Sequence, residues 1–503
     1  ALALTAALVV GMTLPAFADT WFIEDGNISI SAGTNGNNVT QNGTTTENDT
    51  NTVIKGNGSS NASSNTVTID AGEGKTVDVT LDNVNINTSE TGGAAVSVTG
   101  KGDTNIELDG NNTLTSGYYH AGLEHNKTDD SGTLTITDNN NDGKLTANGG
   151  YKGAGIGGGN SGNGAVTITG GDINANGGYK GAGIGGGYFG NGTVKITDGD
   201  INANGGYKGA GIGGGNEKDG QVTITGGEII ANGGDGSAGI GGGYSGNGTV
   251  TISGGTVTEA SGGGEGAGIG GGDSGNGTVN ISGGTITKAS GGYYGAGIGG
   301  GSSGLGNVSI EGNVTIKNAQ GGVGAAGIGG GARGTSDAAG NGNKISIKST
   351  AAGSPNITAK GGKASDDGLS GGAAIGSGSV VAGATEVKSD ITIEGKVTIN
   401  ATGGGNVAIG DNIDGEKVFN GLAGGTNIKR TDSNGKDVTQ DGDVVAEPEP
   451  EPKPEPEEPE KPAQPTVTPT EAAEAPSTGS VEVEHPVTVE GLYVTNVLGK
   501  QIT

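Results

Sequence analysis

This 503-residue sequence predicts an all-β fold, a right-handed parallel β-helix of about 28-residue, three-strand coils followed by a disordered Pro/Glu-rich spacer. Three observations predict it. The phrase Ala-Gly-Ile-Gly-Gly-Gly recurs with its isoleucines at Ile156, Ile184, Ile212, Ile240, Ile269, Ile298 and Ile328, in steps of 28, 28, 28, 29, 29 and 30 residues. A fixed period in this range marks a stack in which each repeat buries its apolar face only against its neighbours. Each period also holds segments that alternate apolar and polar residues with period 2, as half-buried strands do. Finally, glycine supplies 115 residues, a density that costs a helix about 1 kcal/mol per glycine, and no 3.6-residue apolar pattern appears.

Residues 156–183 define the unit. Ile156 sits in a Gly-rich segment and Asn160-Ser161-Gly162-Asn163-Gly164 reads as a turn. Val166-Thr167-Ile168-Thr169 is a strand, broken by Gly170-Gly171, and Asp172-Ile173-Asn174-Ala175-Asn176 is another, ended by Gly177-Gly178. Later copies (Val194-Lys195-Ile196, Val222-Thr223-Ile224, Val250-Thr251-Ile252, Val279-Asn280-Ile281) keep Val and Ile inward while the outward residues drift. Stacking equivalent strands makes parallel sheets around a Val/Ile interior, with the right hand expected of parallel crossovers.

Along the chain, residues 1–18 read as an apolar leader closing in Pro15-Ala16-Phe17-Ala18, a truncated signal peptide that places the mature start at Asp19. Residues 19–95 read as an N-terminal cap and first coils, and 96–430 as the Gly-rich repeats. Worn copies stand at Val96, Leu123, Ile375 and Ile409. From Val96 to Ile409 this amounts to about eleven coils, roughly 50 Å at a strand spacing of about 4.8 Å. Residues 431–479 read as an acidic Pro-rich linker, densest from Glu447 to Pro476, where Glu-Pro repeats cannot bury a core and adopt an extended spacer. Residues 480–503 regain alternation and read as the start of a truncated C-terminal β domain. Ala475-Pro476-Ser477-Thr478-Gly479 echoes a sortase signal, but without its Leu, apolar tail and basic end it reads as spacer.

These features predict an exported protein at a bacterial cell surface, attached to the wall through its C-terminal region and monomeric. With no cysteine in the chain, its stability is expected to come from the stack and not from disulfides. The net charge of −28 argues against nucleic acid and anionic lipid as partners, and no segment reads as inserted in a membrane.

Catalytic equipment is sparse. His120, Glu124 and His125 cluster in a worn repeat, but two histidines beside one carboxylate in a polar loop lack a further ligand and supporting shell. Columns created by stacking are more informative. Tyr151-Lys152, Tyr179-Lys180 and Tyr207-Lys208 recur at one turn, Tyr293-Tyr294 returns near that position, and Tyr188 and Tyr244 occupy a second turn. Aromatic rings beside ammonium groups suit a sugar bearing a carboxylate; they also suit ring-on-ring stacking with no ligand. A second column, Asp172, Asp200 and Glu228, offers carboxylates for calcium, which takes six to eight oxygens. A third, Asn148, Asn176, Asn204 and Asn232, reads as a structural amide ladder.

Trp21 to Ile28, Val79 to Ile86, Asn105 to Leu114 and the Ala-Gly-Ile-Gly-Gly-Gly repeats resemble exported carbohydrate-binding domain-containing proteins of Gram-positive gut bacteria, over roughly residues 20–430. The resemblance implies a right-handed parallel β-helix with a pectin-lyase-like fold. It also implies a non-catalytic surface module, an adhesin that binds calcium and acidic, pectin-like polysaccharide such as polygalacturonate. The coils are similar to those of pectate lyases as well, whose arginine base lies beside calcium-binding aspartates. Here the arginines, Arg333 and Arg430, sit in no such motif. The expected function is therefore non-enzymatic glycan binding. A passive stalk and a polysaccharide lyase are the alternatives, and ice binding by the Thr-x-Thr pairs Thr167/Thr169 and Thr223/Thr225 is a further one.

Overall fold

The computed structural model describes residues 19–333, 342–366, 368–380, 387–411 and 413–446. The expected leader, the spacer from 447 onward with its sortase echo and the segment 480–503 lie outside the described residues.

The repeats form a parallel β-solenoid. In a typical coil, Ile184–Gly185, Gly192–Ile196 and Asp200–Asn204 are the three strands. Each pairs in parallel with its equivalents one coil below and above. Ile184 faces Ile156 and Ile212, Val194 faces Val166 and Val222, and Asp200 faces Asp172 and Glu228. Alternation decides which face is buried. Ile184, Val194, Ile196, Ile201 and Ala203 fill the interior, while Thr193, Lys195 and Asn202 point to solvent. The worn copies are rungs of the same columns: Val96 pairs with Leu123 and Leu123 with Ile156, and Ile328 pairs with Ile375 and Ile375 with Ile409. The first column runs further down, through Val67 to Ile28. Among the described residues no helix is long and apolar enough to cross a membrane.

The geometry explains the glycine phrase. The Ile-Gly strand is only two residues long, so the turns on either side of it meet across its outer face. The Tyr188 N–H donates to the Lys152 carbonyl at 2.9 Å, and the Tyr244 N–H to that of Lys208 at 3.3 Å. As a result every residue from Gly181 to Gly187 is buried, with core on one side and turns on the other. Gly185 has φ +131°, and a Cβ there would collide with the carbonyl oxygen of Gly213 in the next coil. Only glycine satisfies both demands.

The turn that follows holds a non-glycine residue in the left-handed region in successive coils: Ser161 (φ 59°), Phe189 (60°), Glu217 (60°), Ser245 (56°) and Ser274 (58°). That conformation costs roughly 1–2 kcal/mol per residue. It turns the N–H up the stack, where Ser161 donates to the Tyr188 carbonyl at 2.7 Å and Glu217 to that of Tyr244 at 2.8 Å. Beside it runs a side-chain spine. The Asn191 N–H donates to Asn163 Oδ1 at 2.9 Å, Asp219 to Asn191 at 3.1 Å and Asn247 to Asp219 at 2.8 Å.

Both ends of the described stack carry antiparallel strands. At the N-terminal end Ile28–Ala32, Asn37–Gln41 and Thr44–Asp49 form a meander, tied to the first strand by the indole of Trp21 on Asp49 at 3.1 Å. At the C-terminal end Ile409–Asp411 pairs antiparallel with Gly415–Glu416, Asn427–Thr431 is the last parallel rung of its sheet, and the fold runs past 431, where the linker is expected to begin, to 446. Arg430 is fully buried there, paired with Asp443 at 2.7 Å and Glu416 at 2.8 Å, with its guanidinium 5.3 Å from the Phe419 ring centroid.

Candidate binding edge

The site residues come together because the short Ile-Gly strand draws two turns onto one edge of the solenoid. The first turn follows the Asp200–Asn204 type of strand and carries Tyr-Lys. The Lys152 N–H donates to the Tyr118 carbonyl (2.9 Å), Lys180 to Tyr151 (3.3 Å) and Lys208 to Tyr179 (3.3 Å). These bonds fix each turn on the one below and align the rings.

Tyr118, Tyr151, Tyr179 and Tyr207 form one stacked ladder. Successive ring centroids are 4.9, 4.9 and 5.1 Å apart, and the planes differ by 15°, 8° and 15°. Stacking occupies the ring faces inside the ladder, so solvent meets the ring edges and hydroxyls, with the side chains 40–48% exposed. The column thus offers tyrosine Oη groups and ring edges to its surroundings, and not open ring faces inside the ladder.

The lysines turn toward the second turn. Lys152 Nζ lies 5.2 Å from the ring centroids of both Tyr119 and Tyr188, Lys180 Nζ 4.4 Å from Tyr188, and Lys208 Nζ 3.7 Å from Tyr244. Cation–π attraction of this kind holds an ammonium without neutralising it. Among the described residues, none of these three lysines is within ion-pairing distance of a carboxylate. The edge is thus a strip of positive charge and phenol hydroxyls on a strongly acidic chain.

The ladder ends at Asp235, which occupies the next rung. Its carboxylate, hydrogen-bonded to the Tyr207 hydroxyl, holds that phenol above its usual pKa. Beyond it, burial raises the carboxyls of both Glu265 and Asp273 above their ordinary values; the Asp273 charge raises Glu265 further, while hydrogen bonds with Ser274 and Glu265 draw Asp273 partly back. Tyr293 is exposed above this acidic stretch and apart from the ladder. Tyr294, grouped by sequence with the exposed aromatics, is only 7% exposed and packs with Ala325, Ala332 and Leu369. The Arg333 guanidinium lies 4.0 Å from the Tyr294 ring centroid and donates to its hydroxyl at 2.7 Å.

Asp172, Asp200 and Glu228 form the expected column at the opposite end of the third strand from the Tyr-Lys turn. Asp172 is held by Lys144 at 2.8 Å, Glu228 accepts from Thr258 at 2.8 Å, and Asp138, Asp142 and Asp198 line one open depression together with Asp172 and Asp200. Among the described residues no group of three or more His, Asp or Glu side chains is arranged to hold a metal ion.

His120 and His125 are separated by burial. His120 Nδ1 lies 3.0 Å from Glu124 Oε2, which also accepts the Ala121 N–H. His125 is buried, its Nδ1–H donates to the Ala165 carbonyl, and burial pushes its imidazole below the usual pKa.

Sequence reasoning overlooked Tyr118 and Tyr119. The signal was available: Tyr118 precedes Leu123 by the same five positions that separate Tyr151 from Ile156, and the worn repeat hid the correspondence. The Asn163–Asn191–Asp219–Asn247 spine was also overlooked, whereas the Asn148–Asn176–Asn204–Asn232 ladder forms with amide contacts of 2.9, 3.0 and 2.9 Å.

Residues 140–160, 166–188, 194–216, 222–244, 250–273 and 279–302 each match the family model described as Beta helix repeat. No curated protein and no solved structure matches the chain. The matched stretches from 166 onward each run from a Val-x-Ile strand through the Tyr-Lys position to the turn after Gly-Gly-Gly, so the matched unit is the coil seen in the fold. The described residues fold as a parallel β-solenoid, and its coils between 140 and 302 are similar to the Beta helix repeat family.

Proposed function

We propose that this protein is a non-catalytic, extracellular glycan-binding solenoid that holds acidic polysaccharide along the Tyr-Lys edge. One observation carries the reading: Lys152, Lys180 and Lys208 stand in line on consecutive coils, each on a tyrosine ring and none paired with a carboxylate among the described residues. Like charges one rung apart repel, and the rest of the chain is acidic enough to pair them. Leaving them unpaired favours a polyanionic ligand whose carboxylates recur along the row of ammoniums. Weak contacts repeated along one polymer then add as avidity. Export and attachment to a bacterial wall through the C-terminal spacer are part of the proposal, supported by the leader and the Glu-Pro composition.

A passive stalk is the second reading, favoured by the ring-on-ring stacking, which stabilises the edge without any ligand. The lyase reading has less support, since Arg430 is buried in ion pairs and Arg333 lies on Tyr294.

Native affinity electrophoresis separates the two leading readings. The chain is run through gels containing polygalacturonate, a β-1,4-linked polyuronate or neutral glucan, with calcium and with chelator. Retardation in acidic gels that weakens with salt is the expected result. Equal mobility in all gels would remove the binding reading and leave the stalk, and loss of retardation in chelator alone would make calcium part of the contact.

A further inference from the structure

The ladder has a ruler's geometry, and the ruler selects among acidic polysaccharides. Its step is 4.9, 4.9 and 5.1 Å, and the ring planes turn by no more than 15° between neighbours. The rings of Tyr118, Tyr151, Tyr179 and Tyr207, with the hydroxyls they carry, therefore form a line of groups that repeats at the strand spacing of the solenoid. A polymer lying along that line stays in register only if each of its units advances by the same step.

Pyranoses joined through equatorial bonds at C1 and C4 form a flat, extended ribbon whose advance per sugar is close to this step, with successive sugars turned over so that their carboxylates alternate between its two edges. Axial 1,4-linkages buckle the chain and shorten its advance, so the mismatch accumulates with every sugar. Because the faces inside the ladder are covered, recognition rests on tyrosine hydroxyls and lysine ammoniums at fixed intervals. Face stacking tolerates a sliding ligand; hydrogen bonds at fixed intervals do not.

We infer that the Tyr118–Tyr207 ladder binds an extended, equatorially 1,4-linked polyuronate running parallel to the solenoid axis, one sugar per coil over four coils. This rests on the glycan-binding reading above. The site is bounded above by Asp235, which takes the next position in the ladder and accepts the Tyr207 hydroxyl, so that this oxygen meets a sugar as an acceptor; the carboxyls of Glu265 and Asp273 lie beyond it. A fifth uronate would meet like charge instead of a hydroxyl and an ammonium.

The test is calorimetric titration of the whole chain with two oligomer series of equal charge and length, from two to six sugars: β-1,4-linked glucuronate oligomers and α-1,4-linked galacturonate oligomers. In the β-series, Kd is expected to fall tenfold or more between dimer and tetramer and to change less than about twofold from tetramer to hexamer. The α-series is expected to bind more weakly with no comparable gain per sugar. Equal or tighter binding of the α-series, or a gain in the β-series that continues past four, would overturn the register while leaving the glycan reading standing. No binding by either series, together with equal mobility in every acidic gel, would remove both.

Discussion

The Tyr179 ring lies 4.9 Å from that of Tyr151 with their planes 8° apart, although the two residues are separated by a full coil of chain. The solenoid produces this contact by superposing equivalent turns, and the Lys180 N–H on the Tyr151 carbonyl fixes it. The phenols stabilise the edge by stacking and present their hydroxyls at the same time.

Replacing a ring inside the ladder should cost more than replacing the terminal one. Tyr179→Leu removes two stacked pairs at about 0.5–1.5 kcal/mol each, and Tyr207→Leu removes one. Hydrogen exchange over residues 151–207 reads the difference. Equal loss of protection in the two variants would mean that the stacking contributes nothing local.

Gly185→Ala should abolish folding of the surrounding coils. The new methyl would fall on the Gly213 carbonyl oxygen, at a φ of +131° that alanine rarely adopts, with buried backbone on all sides. A soluble variant with native circular dichroism and melting temperature would refute the explanation of the glycine phrase.

Arg430→Met should destabilise the C-terminal end by about 3–5 kcal/mol, because Asp443 would keep a fully buried carboxylate without its cation. Accelerated exchange confined to residues near 409–446 is the expected signature. Unchanged protection there would show that the ion pairs do not hold the cap.

The raised carboxyls of Glu265 and Asp273 give a pH prediction with a definite sign. A carboxyl whose native pKa lies above its unfolded value contributes stability below the unfolded value and loses it as pH rises through the native one. Asp273→Asn should therefore raise the melting temperature at neutral pH and give no such gain below the usual carboxylate range. A gain that is the same at both pH values would show that titration is not its source.

Much of the architecture was legible because a solenoid repeats its instructions. Ile156 to Ile328 give the rungs, the Val-x-Ile pairs give the inward face, and Asn148 to Asn232 give an amide ladder, all of them local patterns copied at a fixed period. What was less legible depends on where two turns converge. The two-residue length of the Ile-Gly strand brings Lys152 onto Tyr188 of the next coil, a contact no single repeat specifies. Burial of Tyr294 depends on Leu369, two coils away through a longer loop, and local sequence carries no sign of it. Tyr118 was hidden because its repeat replaced isoleucine with leucine and the lysine with Tyr119.

The most direct test of the binding edge neutralises its charge without touching the ladder. In Lys152→Gln/Lys180→Gln/Lys208→Gln the rings, the turns and the coil hydrogen bonds remain, and only the three ammoniums are lost. Retention of this variant in acidic polysaccharide gels should fall at least tenfold, with little change in melting temperature. Retention equal to that of the parent protein would contradict the account and return the Tyr-Lys column to a purely structural role.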